Sequence, residues 1–62
     1  MSGQHYAAVG DDGMRPVYWG VGSTPAAARA DAAIWRMDAA DLRVIRISRA
    51  TAERIRSGEV AL

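Results

Sequence analysis

Hydrophobic and polar positions change their spacing along this 62-residue chain, and the changes divide it into five predicted elements. Residues 4–9 and residues 17–22 carry the branched and aromatic side chains of strands, with alternation in the second run. Residues 25–39 are nearly all good helix formers. Residues 42–47 are again rich in branched side chains, and residues 49–57 have the composition of a short helix. The pattern predicts the order β-β-α-β-α.

Local signals place the boundaries of these elements. Gly, Asp and Pro in residues 10–16 are typical of a hairpin turn. Thr24 is a suitable N-cap, and Pro25 at the next position has no amide to leave unpaired. Ser48 can cap the last helix and Gly58 can end it in a left-handed conformation. We therefore expect one small α+β domain over residues 1–62, with a three-stranded sheet and one long helix packed on one face.

The alternation also predicts which faces are buried. Val17, Trp19 and Val21 share one face of the second strand, while Gly20 and Gly22 lie on the other with Tyr18. At helical spacing the long helix gathers one apolar stripe, made of Ala26, Ala30, Ala33, Ile34 and Met37. We expect that stripe to cover Val17, Trp19 and Val21.

The size and composition of the chain narrow its class. A domain of this length buries only roughly 60% of the surface that its unfolded chain exposes. The chain has no cysteine, and the single His5 cannot build a zinc centre, so we expect no disulfide, metal or cofactor. No apolar run reaches the length of a membrane span, and no signal peptide is recognisable. These features predict a soluble, cytoplasmic protein without a membrane partner.

The charge is uneven although the net charge is only +1. All eight basic residues are arginine, as expected from a GC-rich genome. Up to Asp41 the chain carries a net charge of −2, whereas from Leu42 onward it carries +3. The last third of the chain is therefore its basic part.

A second stripe on the long helix predicts a protein-binding surface. Ala28, Ala32, Trp35 and Ala39 lie nearly opposite the first stripe, so Trp35 should point away from the sheet. Aromatic anchors among small residues are typical of binding hot spots, with Arg29 and Arg36 as flanking contacts. The alternatives are that Ala52 and Ile55 of the last helix cover Trp35, or that a second copy of the chain does.

Aromatic and basic side chains also allow a nucleic-acid interpretation. Tyr6, Tyr18, Arg43, Arg46 and Arg49 could share the sheet face away from the helix, an arrangement that binds nucleic acid in several folds. A net charge of +1 favours an ordinary solvated face instead.

Catalytic chemistry is sparse. The glycines of residues 20–22 lack the third glycine of a dinucleotide loop and the lysine of a triphosphate loop. Asp11 and Asp12 lie in a predicted turn, and no third group is placed by the sequence to activate a nucleophile. We expect that the protein is not an enzyme.

Residues 19–30, which read Trp-Gly-Val-Gly-Ser-Thr-Pro-Ala-Ala-Ala-Arg-Ala, resemble the strand-to-helix junction of two families. One comprises the plant ethylene-response and phage-integrase arm-type DNA-binding domains, whose three-stranded sheet enters the major groove. The other is the HicB-like antitoxins. The chain departs from the first by lacking an acidic pair after the threonine, and from the second by lacking an acidic helix start.

In size and in its lack of catalytic motifs, the chain is also similar to small inhibitors of phages and plasmids, including anti-CRISPR proteins. That resemblance implies a non-enzymatic protein-binding module that occupies a surface of a host defence complex. A nucleic-acid-binding domain and a homodimer are the alternatives.

Overall fold

The computed structural model describes residues 3–35 and 42–61. Its elements, in chain order, are β1 (His5–Asp11), β2 (Pro16–Gly22), α1 (Pro25–Trp35), β3 (Arg43–Ile47) and α2 (Arg49–Arg56). The predicted α+β class and the order β-β-α-β-α are confirmed. The predicted extension of the long helix over residues 36–39 lies outside the described residues.

Strand β1 is the centre of an antiparallel sheet with the order β2-β1-β3. Ala8 pairs with Gly20 on one side and with Val44 on the other. The next residue of β1, Val9, pairs with Tyr18, so Trp19 is an extra residue in β2 and forms a bulge. The bulge changes the alternation of side chains along β2.

The bulge makes the predicted common face of Val17 and Val21 wrong. Val17 pairs with Gly10 and Val21 pairs with Ala7, three positions apart on β1. Residues three apart in a regular strand point to opposite faces, and cross-strand partners share a face. Val17 and Val21 therefore lie on opposite sides of the sheet.

Helix α1 packs on the glycine face of β2. Ala28 and Ala32 are fully buried, and a Cβ added at Gly20 would lie 2.6 Å from the Ala28 carbonyl oxygen. A Cβ at Gly22 would lie 2.7 Å from the Ala28 backbone nitrogen. Only glycine permits so close an approach, so the two glycines decide which side of α1 is buried.

The predicted helix faces are consequently reversed. The stripe expected in the core is exposed at each of its described members, which are Ala26, Ala30, Ala33 and Ile34. Met37 lies outside the described residues. The pattern predicts that the stripe with the large side chains Ile34 and Met37 lies in the core, but the sheet offers glycine there, and the side of α1 that packs on it carries Ala28 and Ala32.

Both faces of β1 are covered. Ala7 and Ala8 are fully buried although successive strand residues face opposite sides. Ala8 clusters with Ala32 and Leu42 on the α1 side. Helix α2 packs on β2 and β1, and its Ala52 is fully buried.

The predicted caps and hairpin are confirmed, but the turn is limited to residues 12–15, because Gly10, Asp11 and Pro16 belong to the paired strands. Thr24 Oγ1 accepts a hydrogen bond from the Ala27 N–H at 3.0 Å, and Ser48 Oγ accepts one from Thr51 at 3.1 Å. Gly58 follows α2 with φ +110°. In the hairpin turn Asp12 Oδ1 accepts from the amides of Met14 and Arg15. These hydrogen bonds satisfy donors that the ends of the elements would leave free.

Candidate functional site: a groove beside the β2 edge

The outer edge of β2 is covered in two places. The Tyr18 N–H donates to the Val60 carbonyl at 2.8 Å, and Val17 forms a β-bridge with Ala61. Nearer the end of β2, the Val21 N–H donates to Asp31 Oδ2 at 2.9 Å. The segment after α2 and helix α1 therefore each satisfy part of an edge that would otherwise be open to another strand.

A groove of about 660 Å³ runs along this edge between the two helices. Helix α1 contributes Asp31 and Trp35, and α2 contributes Ile55 and Arg56. The remaining walls come from β2, the turn before it and the segment after α2, through residues that include Val17, Tyr18, Trp19, Gly20, Val21, Asp12 and Val60. The lining is largely apolar, as binding grooves usually are.

Trp19 forms the fixed part of the groove. Its side chain packs against the buried cluster of Ala8, Ala32 and Leu42. Its indole Nε1 donates a hydrogen bond to the Gly10 carbonyl at 3.1 Å. The bulge places this ring, and the hydrogen bond holds its orientation.

Trp35 is the exposed part of the groove. It is the last described residue of α1, and 72% of its accessible surface remains open to solvent. Its neighbour Ile34 is 74% exposed. The alternative in which α2 covers Trp35 is not what the structure shows, because Ile55 lines the same groove without burying the indole.

The structure does not place the other predicted interface residues on one surface. Ala28 and Ala32 belong to the core, so their assignment to the exposed surface is wrong. Arg29 is exposed on α1, while Arg36 lies outside the described residues. Sequence reasoning missed the groove walls that α2 and the C-terminal segment provide; the paired glycines of β2 were the available signal for the orientation of α1.

The predicted nucleic-acid face is not assembled. Tyr6 pairs with Arg46 across β1 and β3, whereas Val9 pairs with both Tyr18 and Arg43. Because Tyr6 and Val9 are three apart on β1, these two sets lie on opposite faces of the sheet. Arg49 is instead engaged by Glu53 on α2, at 3.3 Å.

Three charged side chains line the groove, those of Asp12, Asp31 and Arg56. Backbone amides of Arg15 and Met14 donate to Asp12, which lowers the pKa of that carboxyl below its ordinary value. Asp31 is oriented by the Val21 amide, and Arg56 is the cation among the lining residues.

The described residues contain no group of three or more histidines and carboxylates arranged to hold a metal ion. No helix over residues 3–35 or 42–61 is long and apolar enough to cross a membrane.

Comparisons of the chain with protein-family models, with curated proteins and with solved structures find no match.

Proposed function

We propose that this chain is a non-enzymatic protein-binding module in which Trp35 is the anchor. The observation that carries the proposal is the exposure of Trp35 at an apolar groove where Trp19 already forms a fixed wall. A large aromatic side chain beside a preformed apolar recess is the usual composition of an interface hot spot. The partner would insert an apolar side chain into the groove and cover the indole.

The outer face of α1, on the side of the helix nearly opposite the Trp35 stripe, is a second exposed apolar surface. Exposed helix faces are normally polar, yet α1 presents Ala26, Ala30, Ala33 and Ile34 to solvent. The small alanines allow a partner to approach the helix closely, and Ile34 supplies a large side chain at one end of this face. Arg29 lies on the same exposed helix and could fix the orientation of the partner.

The class of partner is proposed from the size of the chain and its resemblance to small inhibitors of phages and plasmids. On this proposal the module covers a surface of a host defence complex. A net charge of +1 argues against an acidic mimic of DNA. The separation of Tyr6 and Arg46 from Tyr18 and Arg43 disfavours the nucleic-acid alternative.

The test is affinity capture from nuclease-treated host extract with three forms of the protein: the natural chain, Trp35→Ala and Met14→Ala. Met14 is the matched control because it is 92% exposed but does not line the groove. We expect a protein complex that is retained by the natural chain and Met14→Ala and lost by Trp35→Ala. With the purified complex, Trp35→Ala should weaken binding by about 30-fold or more, which corresponds to a hot spot of about 2 kcal/mol.

Circular dichroism of the variants separates a binding defect from a folding defect. Loss of the fold in Trp35→Ala would show a structural role for the indole and contradict the proposal. Equal capture by all three forms would contradict it as well. Sedimentation equilibrium of the natural chain, run beforehand, shows whether a second copy is the partner.

A further inference from the structure

The two edges of the sheet differ in how far the described residues cover them. Residues 60 and 61 and the Asp31 carboxylate cover the outer edge of β2. Strand β3 pairs with β1 alone among the described segments, so the outer edge of Arg43–Ile47 has no backbone partner there. An open edge of this kind is a template for one more strand.

The side chains of β3 indicate what that strand should carry. Arg43 and Arg46 are exposed and have no ion pair or hydrogen bond with another described residue. The carboxylates of α2 and its exit pair with arginines of α2, since Glu53 contacts Arg49 and Glu59 contacts Arg54. Among the described residues, no carboxylate pairs with the two positive charges of this edge, which also carries Ile45, 36% exposed.

We propose that the outer edge of β3 binds an extended acidic segment of a protein partner by strand addition. Backbone amides and carbonyls of the segment would pair with the free edge. Its carboxylates would contact Arg43 and Arg46, and cross-strand pairs of opposite charge stabilise such an arrangement. This surface is on the opposite edge of the sheet from the groove and is independent of the function proposed above.

The geometry of β3 specifies the spacing of the acidic residues. Arg43 and Arg46 are three positions apart, so their side chains lie on opposite faces of the sheet and roughly 10 Å apart along the strand. Carboxylates that match both arginines must also be three positions apart. The recognised pattern is Glu-x-x-Glu in an extended segment, whereas Glu-x-Glu would place both carboxylates on one face and match one arginine.

Other occupants fit this edge less well. A second copy would bring two more exposed arginines to the same edge, and like charges across strands are destabilising. A phosphodiester backbone lacks the regularly spaced N–H donors of a peptide, so a nucleic acid would not form a β-ladder with the carbonyls of β3. A peptide supplies donors and acceptors together with the complementary charge.

The test is an NMR titration of the full chain with three capped heptapeptides. The first is Thr-Glu-Val-Thr-Glu-Val-Thr, and the second has the same composition with the glutamates two positions apart, Thr-Glu-Val-Glu-Thr-Val-Thr. The third replaces both glutamates of the first peptide by lysine. We expect the first to bind most tightly, with shift changes at residues 43–47 and slower amide exchange in that strand.

Variants of the two arginines complete the test. The double variant Arg43→Glu, Arg46→Glu should weaken binding of the first peptide by about tenfold or more, since each exposed ion pair contributes up to about fivefold to the affinity. Arg43→Gln with Arg46→Gln should show an intermediate loss, and Arg15→Glu in the exposed hairpin turn should show none. Rising salt should weaken binding, because the charges are exposed.

Four outcomes would overturn the proposal: no binding of the first peptide, equal binding of the lysine peptide, shift changes confined to the groove residues, or tighter binding of a single-stranded oligonucleotide at residues 43–47. None of these outcomes depends on Trp35, so Trp35→Ala should bind the first peptide like the natural chain. Failure of the β3 proposal is therefore distinguishable from failure of the function proposed for the groove.

Discussion

Asp31 of α1 accepts a hydrogen bond from the backbone N–H of Val21 at 2.9 Å, which ties the helix to the outer edge of β2. The acceptor carries a charge and the contact is partly buried, so its loss leaves an amide of the sheet edge without a partner. We expect Asp31→Ala to lower the free energy of unfolding by about 1–2 kcal/mol. Urea denaturation measures this change.

Asp31→Asn is the matched control for that prediction. The amide oxygen of asparagine can still accept from Val21, so this variant should lose less stability than Asp31→Ala. Equal losses in the two variants would show that the hydrogen bond contributes nothing specific.

The close packing of Gly20 under α1 gives a second prediction. A Cβ on Gly20 would lie 2.6 Å from the Ala28 carbonyl oxygen, a backbone atom that cannot move without shifting the helix. We expect Gly20→Ala to destabilise the domain by about 3 kcal/mol, at the upper end of the cost of overpacking. In so small a domain this change should lower the thermal midpoint by more than about 10 °C.

Gly3→Ala is the control, because a Cβ there meets only His5 Nε2 at 3.9 Å, an ordinary contact. Its effect should stay within about 0.5 kcal/mol. A stable Gly20→Ala variant with the natural thermal midpoint would contradict the packing of α1 described above.

The packing at Gly20 also explains which features of the fold could be predicted from the sequence. The order of elements and their caps depend on local signals, such as Thr24 before Pro25 and Ser48 before α2, and these predictions are confirmed. The buried side of α1 depends on contacts across the fold. Alanine occurs on both sides of the helix, so its own periodicity did not identify the side that packs against glycine.

The groove was only partly predictable for the same reason. Trp35 is exposed, as the helix pattern predicts, but it lies on the same stripe as the buried Ala28 and Ala32 and lines the groove beside β2, so its predicted direction away from the sheet is wrong. The bulge at Trp19 is a register shift between two strands, and Gly58 and Val60 line the groove because the segment after α2 pairs with β2. Such long-range relationships leave no period in a sequence.

Asp12 gives a prediction about pH. Its pKa is lowered in the folded chain by the amides of Arg15 and Met14, so the folded state favours the ionised carboxylate. The stabilisation is complete above the ordinary aspartate pKa of 3.8 and is lost as the pH falls below it. The natural chain should therefore lose more of its thermal stability than Asp12→Asn between about pH 5 and about pH 3.

Asp12→Asn is informative because asparagine keeps an oxygen acceptor for both amides but does not titrate in this range. Thermal melts of the two proteins at several pH values measure the difference. If the thermal midpoints of the two proteins fall in parallel as the pH is lowered, ionisation of Asp12 does not contribute to the stability of the fold.

The contrast between the two tryptophans gives a prediction that fluorescence can check. Trp19→Phe leaves the exposed Trp35 as the emitter, and Trp35→Phe leaves Trp19, which packs against the core cluster. We expect the Trp19→Phe protein to emit at longer wavelength and to be quenched more strongly by acrylamide, because its indole is in water. Repeating the measurement over a hundredfold range of protein concentration tests self-association through α1. If a second copy covers Trp35, quenching of the Trp19→Phe protein will decrease as its concentration rises. If Trp35 stays exposed, the quenching will be the same at every protein concentration.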